Sequence, residues 1–364
     1  MKAAVLEAPG QPLAIRDVSI DDPGPGQVRV RVSHCGVCHS DLSIVDGTFP
    51  SPVPIVLGHE AAGVVDVVGA GVSGLARGDH VVLTPCPPCG TCYWCLRGEP
   101  TVCVNAGAIQ TNTFADGSTG LSMDGNPVYR GVGLGAFAEY VLTPATGAVK
   151  IPHDVPLEVA CVIGCAVQTG VGAVLNTAKV EEGASVLVMG LGGIGLSIVQ
   201  GARLAGASRI IASDPLPERR DRAATLGATD LLDPAKEDVI GRSLELTERG
   251  VDYAFDAVGR AALIQAGLAA TRSGGTTVCV GAPPMDDVVA IAMPALFVIS
   301  EKKMIGSCLG SSNSLREIPR LVSLWQSKRL DLEALITARR PLAEINAAMA
   351  DLAGGRGVRT VLAL

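Results

Sequence analysis

The sequence predicts an α/β protein of two domains, one rich in β-strands and one built on a doubly wound parallel sheet. The chain has 364 residues, 48% of them hydrophobic, which is more than a single core usually holds. Up to about residue 160, short apolar runs alternate with turns in the period-two pattern of strands. From about residue 165, buried strands alternate with helices, as in parallel sheets. We place one domain at 1–166 and 307–364, and the other at 167–306.

The first domain has three clear strand patterns, and they lie at 27–32, 63–68 and 80–83. The stretch 104–134 is rich in Gly, Asn, Thr and Ser, and it predicts a long irregular excursion. After residue 306, a helical stretch and a last strand at 359–364 are expected to return to this domain.

The second domain alternates strands with helices. The predicted strands are 185–190, 209–214, 251–256 and 275–280. The predicted helices are 194–205 and 218–226, and Gly227 ends the second of them.

Composition excludes several classes of partner. The formal net charge of −7 argues against nucleic acid. No apolar run reaches the ~20 residues of a membrane span, so no membrane partner is expected. Glu7 interrupts the start of the chain too early for a secretory signal. We therefore expect a reducing cytoplasm, where clustered cysteines indicate metal ligands before disulfides.

A glycine loop at 190–195 follows a predicted strand and opens a predicted helix. Its glycines would allow a tight turn and a close approach to a pyrophosphate at the helix N-terminus. The candidate coenzyme residues of the loop are Gly190, Gly192, Gly193, Ile194 and Gly195. Asp214 ends the next strand, where a carboxylate would bind ribose hydroxyls and repel a 2′-phosphate, so NAD is predicted over NADP. The alternative is a glycine-rich turn that binds nothing. Arg219 is a candidate for the adenosine end, or part of a solvated helix face.

Four cysteines stand in a tight array, and their thiolates could close a tetrahedral Zn²⁺ shell that leaves no position for water or substrate. They are Cys89, Cys92, Cys95 and Cys103. Such a site is structural. The alternative is a run of buried or disulfide-paired cysteines. Cys86 lies three residues ahead and is left out, because four ligands are already present.

A second zinc site could use Cys38, His59 and Cys165, leaving a fourth position open as catalytic sites do. Glu60 could support these ligands or bind transiently, and Asp41 could orient His59 through its other ring nitrogen. On spacing alone this site is weaker than the first. A lone histidine is usually structural, and a cysteine in an apolar stretch is usually a buried thiol.

The motifs resemble those of zinc-containing alcohol dehydrogenases of the medium-chain dehydrogenase family, in the same order and over essentially the whole chain. The signature is Gly58, His59 and Glu60, followed by Gly63, Gly69 and Val72. Residues 36–41, the four-cysteine lobe, 137–140, 163–165 and 359–360 also resemble it. The resemblance implies a GroES-like catalytic domain, a Rossmann coenzyme domain and an active site in the cleft between them.

By matching position, the resemblance makes Cys38, His59 and Cys165 the catalytic zinc ligands. It makes Ser40 the hydroxyl that passes on the substrate proton, while zinc polarises the alcohol oxygen and NAD accepts the hydride. The further candidates for coenzyme contact are His39, Thr169, Val280 and Arg359. In well-known members of the family, a histidine ends the proton relay. The matching position here is Ser43, so the relay must end elsewhere.

The expected substrate is a small alcohol or aldehyde. Aromatic residues are only 3% of the chain. In the family, the position that matches Pro85 at the substrate channel is often aromatic, and Phe49 is retained on the other wall. We therefore expect a roomy pocket for bulky, aryl or medium-chain alcohols. A thiol-adduct formaldehyde dehydrogenase is one alternative, although 104–108 lacks the arginine of the glutathione-dependent subgroup. A polyol dehydrogenase is another alternative, but such enzymes commonly lack the cysteine that matches Cys165, so its presence counts against them. A quinone-reductase-like or crystallin-like relative would bind nucleotide without an open zinc.

The long excursion at 104–136 resembles the longer, usually dimeric members of the family. We therefore expect a homodimer, with a homotetramer as the alternative. The resemblance places the contact around 291–294 and 304–306.

Overall fold

The computed structural model describes residues 1–291 and 293–364, which divide into two compact units. One unit comprises Met1–Gln168 and Ser312–Leu364, and the other comprises Thr169–Ser311. The divisions lie two and five residues beyond the boundaries predicted at 166 and 306.

The first unit is rich in strands, whereas strands and helices alternate in the second. In chain order, the strands of the described residues are β1 Lys2–Leu6, β2 Ala14–Asp17, β3 Ser19–Ile20, β4 Gln27–Gly36, β5 Ile55–Val56, β6 Glu60–Val68, β7 His80–Leu83, β8 Leu121–Met123, β9 Asn126–Pro127, β10 Tyr129–Arg130, β11 Tyr140–Pro144, β12 Ala148–Lys150, β13 Ser185–Met189, β14 Arg209–Ser213, β15 Asp230–Leu232, β16 Val251–Asp256, β17 Thr271–Cys279, β18 Lys303–Gly306, β19 Ile336–Pro341 and β20 Arg359–Ala363.

The α-helices are α1 His39–Val45, α2 Tyr93–Leu96, α3 Ala108–Thr111, α4 Leu157–Ala160, α5 Ala166–Gly172, α6 Gly193–Ala205, α7 Pro217–Leu226, α8 Val239–Thr247, α9 Ala261–Ala270, α10 Pro294–Ile299, α11 Ser314–Gln326 and α12 Ile345–Ala353. Short 3-10 turns are Pro100–Val102, Val104–Gly107, Gly131–Gly133, Ala145–Gly147, Cys161–Gly164, Leu309–Ser311, Glu333–Leu335 and Leu342–Glu344, and a π-helical turn is Ala173–Ala178.

The first unit is built on a seven-stranded sheet in the order β12-β7-β6-β4-β20-β19, with β11 also paired to β4. Strand β4 shows why the pattern forms a sheet, since Val28, Val30 and Val32 are buried while the residues between them are more exposed. The last strand, β20, pairs antiparallel with β4, with Val361 opposite Gly36. The end of the chain therefore lies in the first unit.

The second unit is a six-stranded parallel sheet in the order β15-β14-β13-β16-β17-β18. In sequence order this is the 3-2-1-4-5-6 arrangement of dinucleotide-binding sheets, in which ligands bind beyond the carboxyl ends of the strands. After Ser185, strand β13 is apolar and buried, as expected when both faces of a sheet are covered. The predicted doubly wound fold is confirmed.

The excursion at 104–134 is less irregular than predicted. It contains α3 and the short strands β8, β9 and β10, and β10 extends a sheet by pairing in parallel with β5. Strands of two or three residues show no periodicity in the sequence, so the prediction of an irregular stretch was wrong in these places.

No single helix of the described residues is long and apolar enough to cross a membrane. One bent pair, Leu157–Gly164 with Ala166–Ala178, passes by length and composition, and most of its residues are buried inside the protein.

Candidate active site

A buried carboxylate organises the first cluster of candidate ligands. Asp41 lies in the first turn of α1 and is fully buried. Its Oδ2 atom accepts a hydrogen bond of 3.2 Å from the backbone N–H of Cys38. Its Oδ1 atom accepts one of 2.9 Å from the N–H of Gly58 and lies 3.1 Å from Nδ1 of His59. In the neutral imidazole, a carboxylate at Nδ1 keeps the proton on that nitrogen, so Nε2 is the atom that can bind a metal.

The donor atoms of Cys38, His59, Glu60 and Cys165 all lie within 4.8 Å of one another, and all four residues are buried. Two thiols, an imidazole and a carboxylate are ligand types that zinc binds. Both carboxylate oxygens of Glu60 are buried and have no hydrogen-bond partner among the described residues. A buried carboxylate that accepts no hydrogen bond and lies beside two thiols fits a bound cation, so the donor set suits the zinc that the sequence predicted.

Backbone geometry brings these ligands together. Gly58 has φ +91°, and a Cβ atom at this position would lie 2.5 Å from Cδ1 of Phe137. Glycine is therefore required immediately before His59. Strand β6 starts at Glu60, and Cys165 lies between the 3-10 turn Cys161–Gly164 and α5.

The two thiols of this cluster share a hydrogen bond. It lowers the pKa of the Cys38 thiol well below its ordinary value and raises the pKa of the Cys165 thiol. The cluster thus favours one thiolate even with no cation present, and a divalent cation would stabilise both thiols as thiolates.

Arg359 lies behind the cluster and is almost fully buried. Its Nη1 atom donates a hydrogen bond of 2.6 Å to the carbonyl oxygen of Val37, and its Nη2 atom lies 3.4 Å from Oε1 of Glu60. Burial raises the pKa of Glu60 to about 7, although the positive charge of Arg359 acts in the opposite direction. A Cβ atom on Gly36 would overlap Oε2 of Glu60, so the carboxylate is also confined sterically. The sequence analysis included Gly36 only as the first residue of the motif 36–41, and it missed the steric need for a glycine beside Glu60.

The second cluster is the four-cysteine array. The sulfur atoms of Cys89, Cys92, Cys95 and Cys103 lie within 4.8 Å of one another. The backbone N–H of Cys92 donates a hydrogen bond of 3.3 Å to the sulfur of Cys89. The backbone N–H of Cys89 donates one of 3.3 Å to the sulfur of Cys103. Backbone donors stabilise thiolates, so this loop fits a closed zinc shell. Cys86 is outside the array, and its N–H donates to Oγ1 of Thr84.

The glycine loop forms a cradle at the start of α6. Gly190 has φ +88°, and a Cβ atom on Gly195 would overlap the carbonyl oxygen of Gly190. At Gly192, the N-cap of α6, a Cβ atom would meet nothing within 4 Å, which leaves open space at the helix N-terminus. The space, the N–H groups of the first helical turn and the helix dipole fit a pyrophosphate, so the loop suits a dinucleotide.

Asp214 is buried beside this loop. Its Oδ2 atom accepts a hydrogen bond of 2.8 Å from the N–H of Leu191, and its Oδ1 atom accepts one of 2.9 Å from the N–H of Leu216. Nη1 of Arg219 lies 3.9 Å from Oδ2. Both side chains line a cleft of about 490 Å³ at the carboxyl ends of β13 and β14. The cleft is large enough for one end of a nucleotide.

The remaining candidates lie on neighbouring elements. Ser40 is half-buried in the first turn of α1, and His39 beside it is exposed. Thr169 is buried on α5, and Val280 is buried just after β17. Their contacts with a coenzyme stay predictions.

The chain was compared with protein families, and two of them match it. Residues 24–153 match the alcohol dehydrogenase GroES-like domain, and residues 193–327 match the zinc-binding dehydrogenase family. The chain is 38% identical to S-(hydroxymethyl)glutathione dehydrogenase of Escherichia coli O157:H7, over 99% of each chain.

Two solved structures are similar over the whole fold. An alcohol dehydrogenase zinc-binding domain protein from Burkholderia ambifaria is 38% identical with a TM-score of 0.94, covering 100% of this chain and 98% of that one. Benzyl alcohol dehydrogenase from Acinetobacter calcoaceticus is 31% identical with a TM-score of 0.94, covering 100% and 99%. The resemblance read from the motifs is confirmed: the chain is an oxidoreductase and belongs to the zinc-dependent alcohol dehydrogenases of the medium-chain family.

Proposed function

We propose that the protein transfers a hydride between a bulky, aryl or medium-chain alcohol and NAD, with Cys38, His59 and Cys165 holding a catalytic zinc. The observation that carries this proposal is the buried cluster of four donor atoms within 4.8 Å. When bound, zinc supplies a Lewis acid for the alcohol oxygen, and NAD supplies the hydride acceptor. A relative that binds nucleotide without an open metal site would have no use for this donor set.

The chain's own residues hold and move the proton. Asp41 fixes the imidazole of His59 and the backbone of Cys38 at the same time. Ser40 lies two residues after Cys38 in the first turn of α1, and its hydroxyl accepts the substrate proton while donating its own onward. Ser43 lies one turn further along the same face, where it relays a proton but does not store one near pH 7. Solvent is therefore the final acceptor.

The coenzyme is held by the glycine loop, with the pyrophosphate at Gly192 and Gly193. The carboxylate of Asp214 faces the same cleft and favours ribose hydroxyls over a 2′-phosphate, which supports NAD over NADP. Because Asp214 also accepts the N–H of Leu191, it ties the choice of coenzyme to the shape of the loop. His39, Thr169, Arg219, Val280 and Arg359 are proposed as further coenzyme contacts.

A second candidate substrate is the adduct of formaldehyde with a thiol. The relative from Escherichia coli, named for S-(hydroxymethyl)glutathione, favours it. The segment 104–108, at the 3-10 turn Val104–Gly107, offers no cation for a glutathione carboxylate. The similarity to benzyl alcohol dehydrogenase supports the aryl alcohol, which we therefore place first.

One steady-state comparison tests this choice. NADH formation is measured with benzyl alcohol, a medium-chain primary alcohol, a secondary alcohol, and formaldehyde with glutathione. The proposal expects the highest kcat/KM for benzyl or medium-chain alcohol. A kcat/KM for the glutathione adduct that exceeds all alcohols would overturn it in favour of the second candidate.

We also propose a homodimer joined through the second unit. Strand β18 is the last strand of its sheet, and large apolar side chains are exposed on the segment before it. They are Met285, Val288, Met293, Leu296, Val298 and Ile299. An exposed sheet edge next to such a patch is suited to pairing with a second copy. Ala292, in the predicted contact, lies outside the described residues.

Light scattering after size exclusion tests the dimer. Val298→Glu, at a side chain 71% exposed, should yield monomer. Leu96→Glu is the control, since Leu96 is 76% exposed on the four-cysteine lobe. If Val298→Glu stays dimeric, or Leu96→Glu alone dissociates, the contact lies elsewhere.

We further propose a reducing cytoplasmic compartment. None of the eleven cysteines, all of which the structure describes, forms a disulfide, and six of them belong to the two donor clusters. Thiolates that must bind zinc are best kept reduced. Cell fractionation with a periplasmic marker tests the assignment, and recovery with that marker would contradict it.

A further inference from the structure

Two of the five histidines form a pair within the first unit. His80 starts β7, and His153 lies three residues after the end of β12. Their ring centres are 4.4 Å apart, and the ring planes are tilted by 45° to each other. Neither histidine belongs to the two donor clusters, the proton path or the glycine loop. The pair is therefore not used by the proposed reaction.

Strand pairing places the two histidines beside each other. Strands β7 and β12 are antiparallel, with Val81 opposite Lys150. The pairing continues by one residue, since the N–H of Ile151 donates a hydrogen bond of 2.9 Å to the carbonyl oxygen of His80. His153 lies two residues beyond Ile151, a diagonal spacing at which long side chains of neighbouring strands reach each other. The backbone thus sets the position of both rings.

The nitrogen atoms of the pair are suited to a metal ion. Nδ1 of His80 is buried and makes no hydrogen bond with any described residue. Burial, and to a lesser degree the His153 ring, lowers the pKa of the His80 imidazole below its ordinary value. The ring is therefore neutral at pH 7, as a metal ligand must be. His153 is exposed, so its ring is free to turn toward an ion that arrives from solvent.

The separation of the two rings matches a single ion held by both. An imidazole nitrogen binds zinc at about 2.0–2.1 Å, which places the ion about 3.2 Å from the ring centre. Two imidazoles that meet at one ion with an angle of about 90–110° then have centres about 4.5–5.2 Å apart. The observed separation of 4.4 Å is close to the shorter value, so a small rotation of His153 completes the geometry.

Two charged side chains beside the pair neutralise each other. Nζ of Lys150 lies 2.7 Å from Oδ1 of Asp79, and Oδ2 of Asp79 accepts a hydrogen bond of 2.9 Å from the N–H of Ala76. The ammonium group of Lys150 thus offers little opposition to a cation, and the carboxylate of Asp79 is already engaged. Two imidazoles are left as the protein ligands.

We propose that His80 and His153 form a third metal site, which binds a divalent transition-metal ion such as Zn²⁺, with water completing its shell. Imidazole is a preferred ligand of zinc, copper and nickel. The ion would tie β7, the strand that leads to the four-cysteine lobe, to the segment after β12. With two protein ligands and no thiolate, the site would hold its ion less tightly than the two donor clusters and would lose it on dialysis. It is independent of the reaction proposed above.

The test counts the zinc that the protein binds beyond its tightly held ions. Protein loaded with zinc and then dialysed is titrated with Zn²⁺ in a calorimeter. Zinc is the probe because the added ion then cannot exchange for a different metal in the donor clusters. The wild type should bind one further ion per chain. His153→Gln and His80→Gln should each bind it at least about tenfold more weakly, since loss of a mere supporting group already weakens metal sites by that factor.

His34→Gln is the matched control, because it removes another histidine of the first unit that lies outside both donor clusters. His34 is half-buried, and its Nδ1 atom lies 3.0 Å from Oγ of Ser33. This variant should bind the further ion as tightly as the wild type does. A wild type that binds no further zinc would overturn the proposal. So would a further ion that either variant of the pair binds as tightly as the wild type, or one that His34→Gln alone loses.

Discussion

Oδ1 of Asp41 lies 3.1 Å from Nδ1 of His59, and the same carboxylate accepts the backbone N–H groups of Cys38 and Gly58. One fully buried side chain thus holds two candidate zinc ligands. Because the carboxylate sits at Nδ1, it sets both the orientation of the ring and the nitrogen that remains available.

Asp41→Asn should weaken zinc binding at the catalytic site. An amide can no longer accept at all three positions, so the imidazole loses its fixed orientation. Loss of such a support typically weakens metal binding by about 10- to 100-fold. Competition with a chromophoric chelator measures the affinity. Asp46→Asn, on the exposed end of α1, is the control and should bind zinc as the wild type does. Equal affinities for all three proteins would contradict the role of Asp41.

Cys103→Ser should remove the structural zinc while leaving the catalytic cluster intact. Cys103 is buried and accepts two backbone N–H groups, so a hydroxyl cannot replace its thiolate. Loss of a structural metal is among the large effects on stability, about 4 kcal/mol or more in free energy of unfolding. Metal analysis and chemical denaturation check it. The matched change Cys86→Ala should retain both zinc ions, and loss of zinc there would show that Cys86 is a ligand.

Ser43→His should improve alcohol oxidation mainly at low pH. A histidine one turn after Ser40 would accept the relayed proton down to its pKa, near 6.5 when unperturbed. The gain in kcat/KM is expected to be at least about threefold between pH 6 and 7, and to vanish at high pH where hydroxide accepts the proton. Superimposable pH–rate profiles of the two proteins would refute the relay through α1.

Asp214→Ser should shift the enzyme toward NADP. The substitution removes the proposed acceptor for the ribose and the acceptor for the N–H of Leu191, and it also removes a negative charge beside Arg219. We expect kcat/KM for NAD to fall about tenfold or more, the size of one lost charged hydrogen bond, while that for NADP falls less. Asp221→Asn, on the exposed face of α7, should leave the ratio unchanged. A ratio that Asp214→Ser does not move would place the discrimination elsewhere.

The features that the sequence predicted well are local. The glycine loop, the four-cysteine array and the alternating valines of β4 each show their pattern within about ten residues, because one turn or one strand determines the spacing. The fold class and the family followed from these patterns and are confirmed. The alternation also predicted β7 at its observed bounds, 80–83.

The features that were missed depend on contacts between distant residues. Glu60 and Arg359 come from opposite ends of the chain, so no spacing predicts their approach to 3.4 Å. Strands β8, β9 and β10 are too short to show a period, and they exist because they pair with neighbouring strands.

The central claim is that the chain holds an open catalytic zinc as well as a closed structural zinc. The most direct test is NADH formation from benzyl alcohol by protein of measured zinc content, with and without 1,10-phenanthroline. We predict about two zinc ions per chain and activity that the chelator abolishes. One zinc per chain with no turnover of any alcohol would contradict the claim, because the cluster of Cys38, His59 and Cys165 would then hold no catalytic metal.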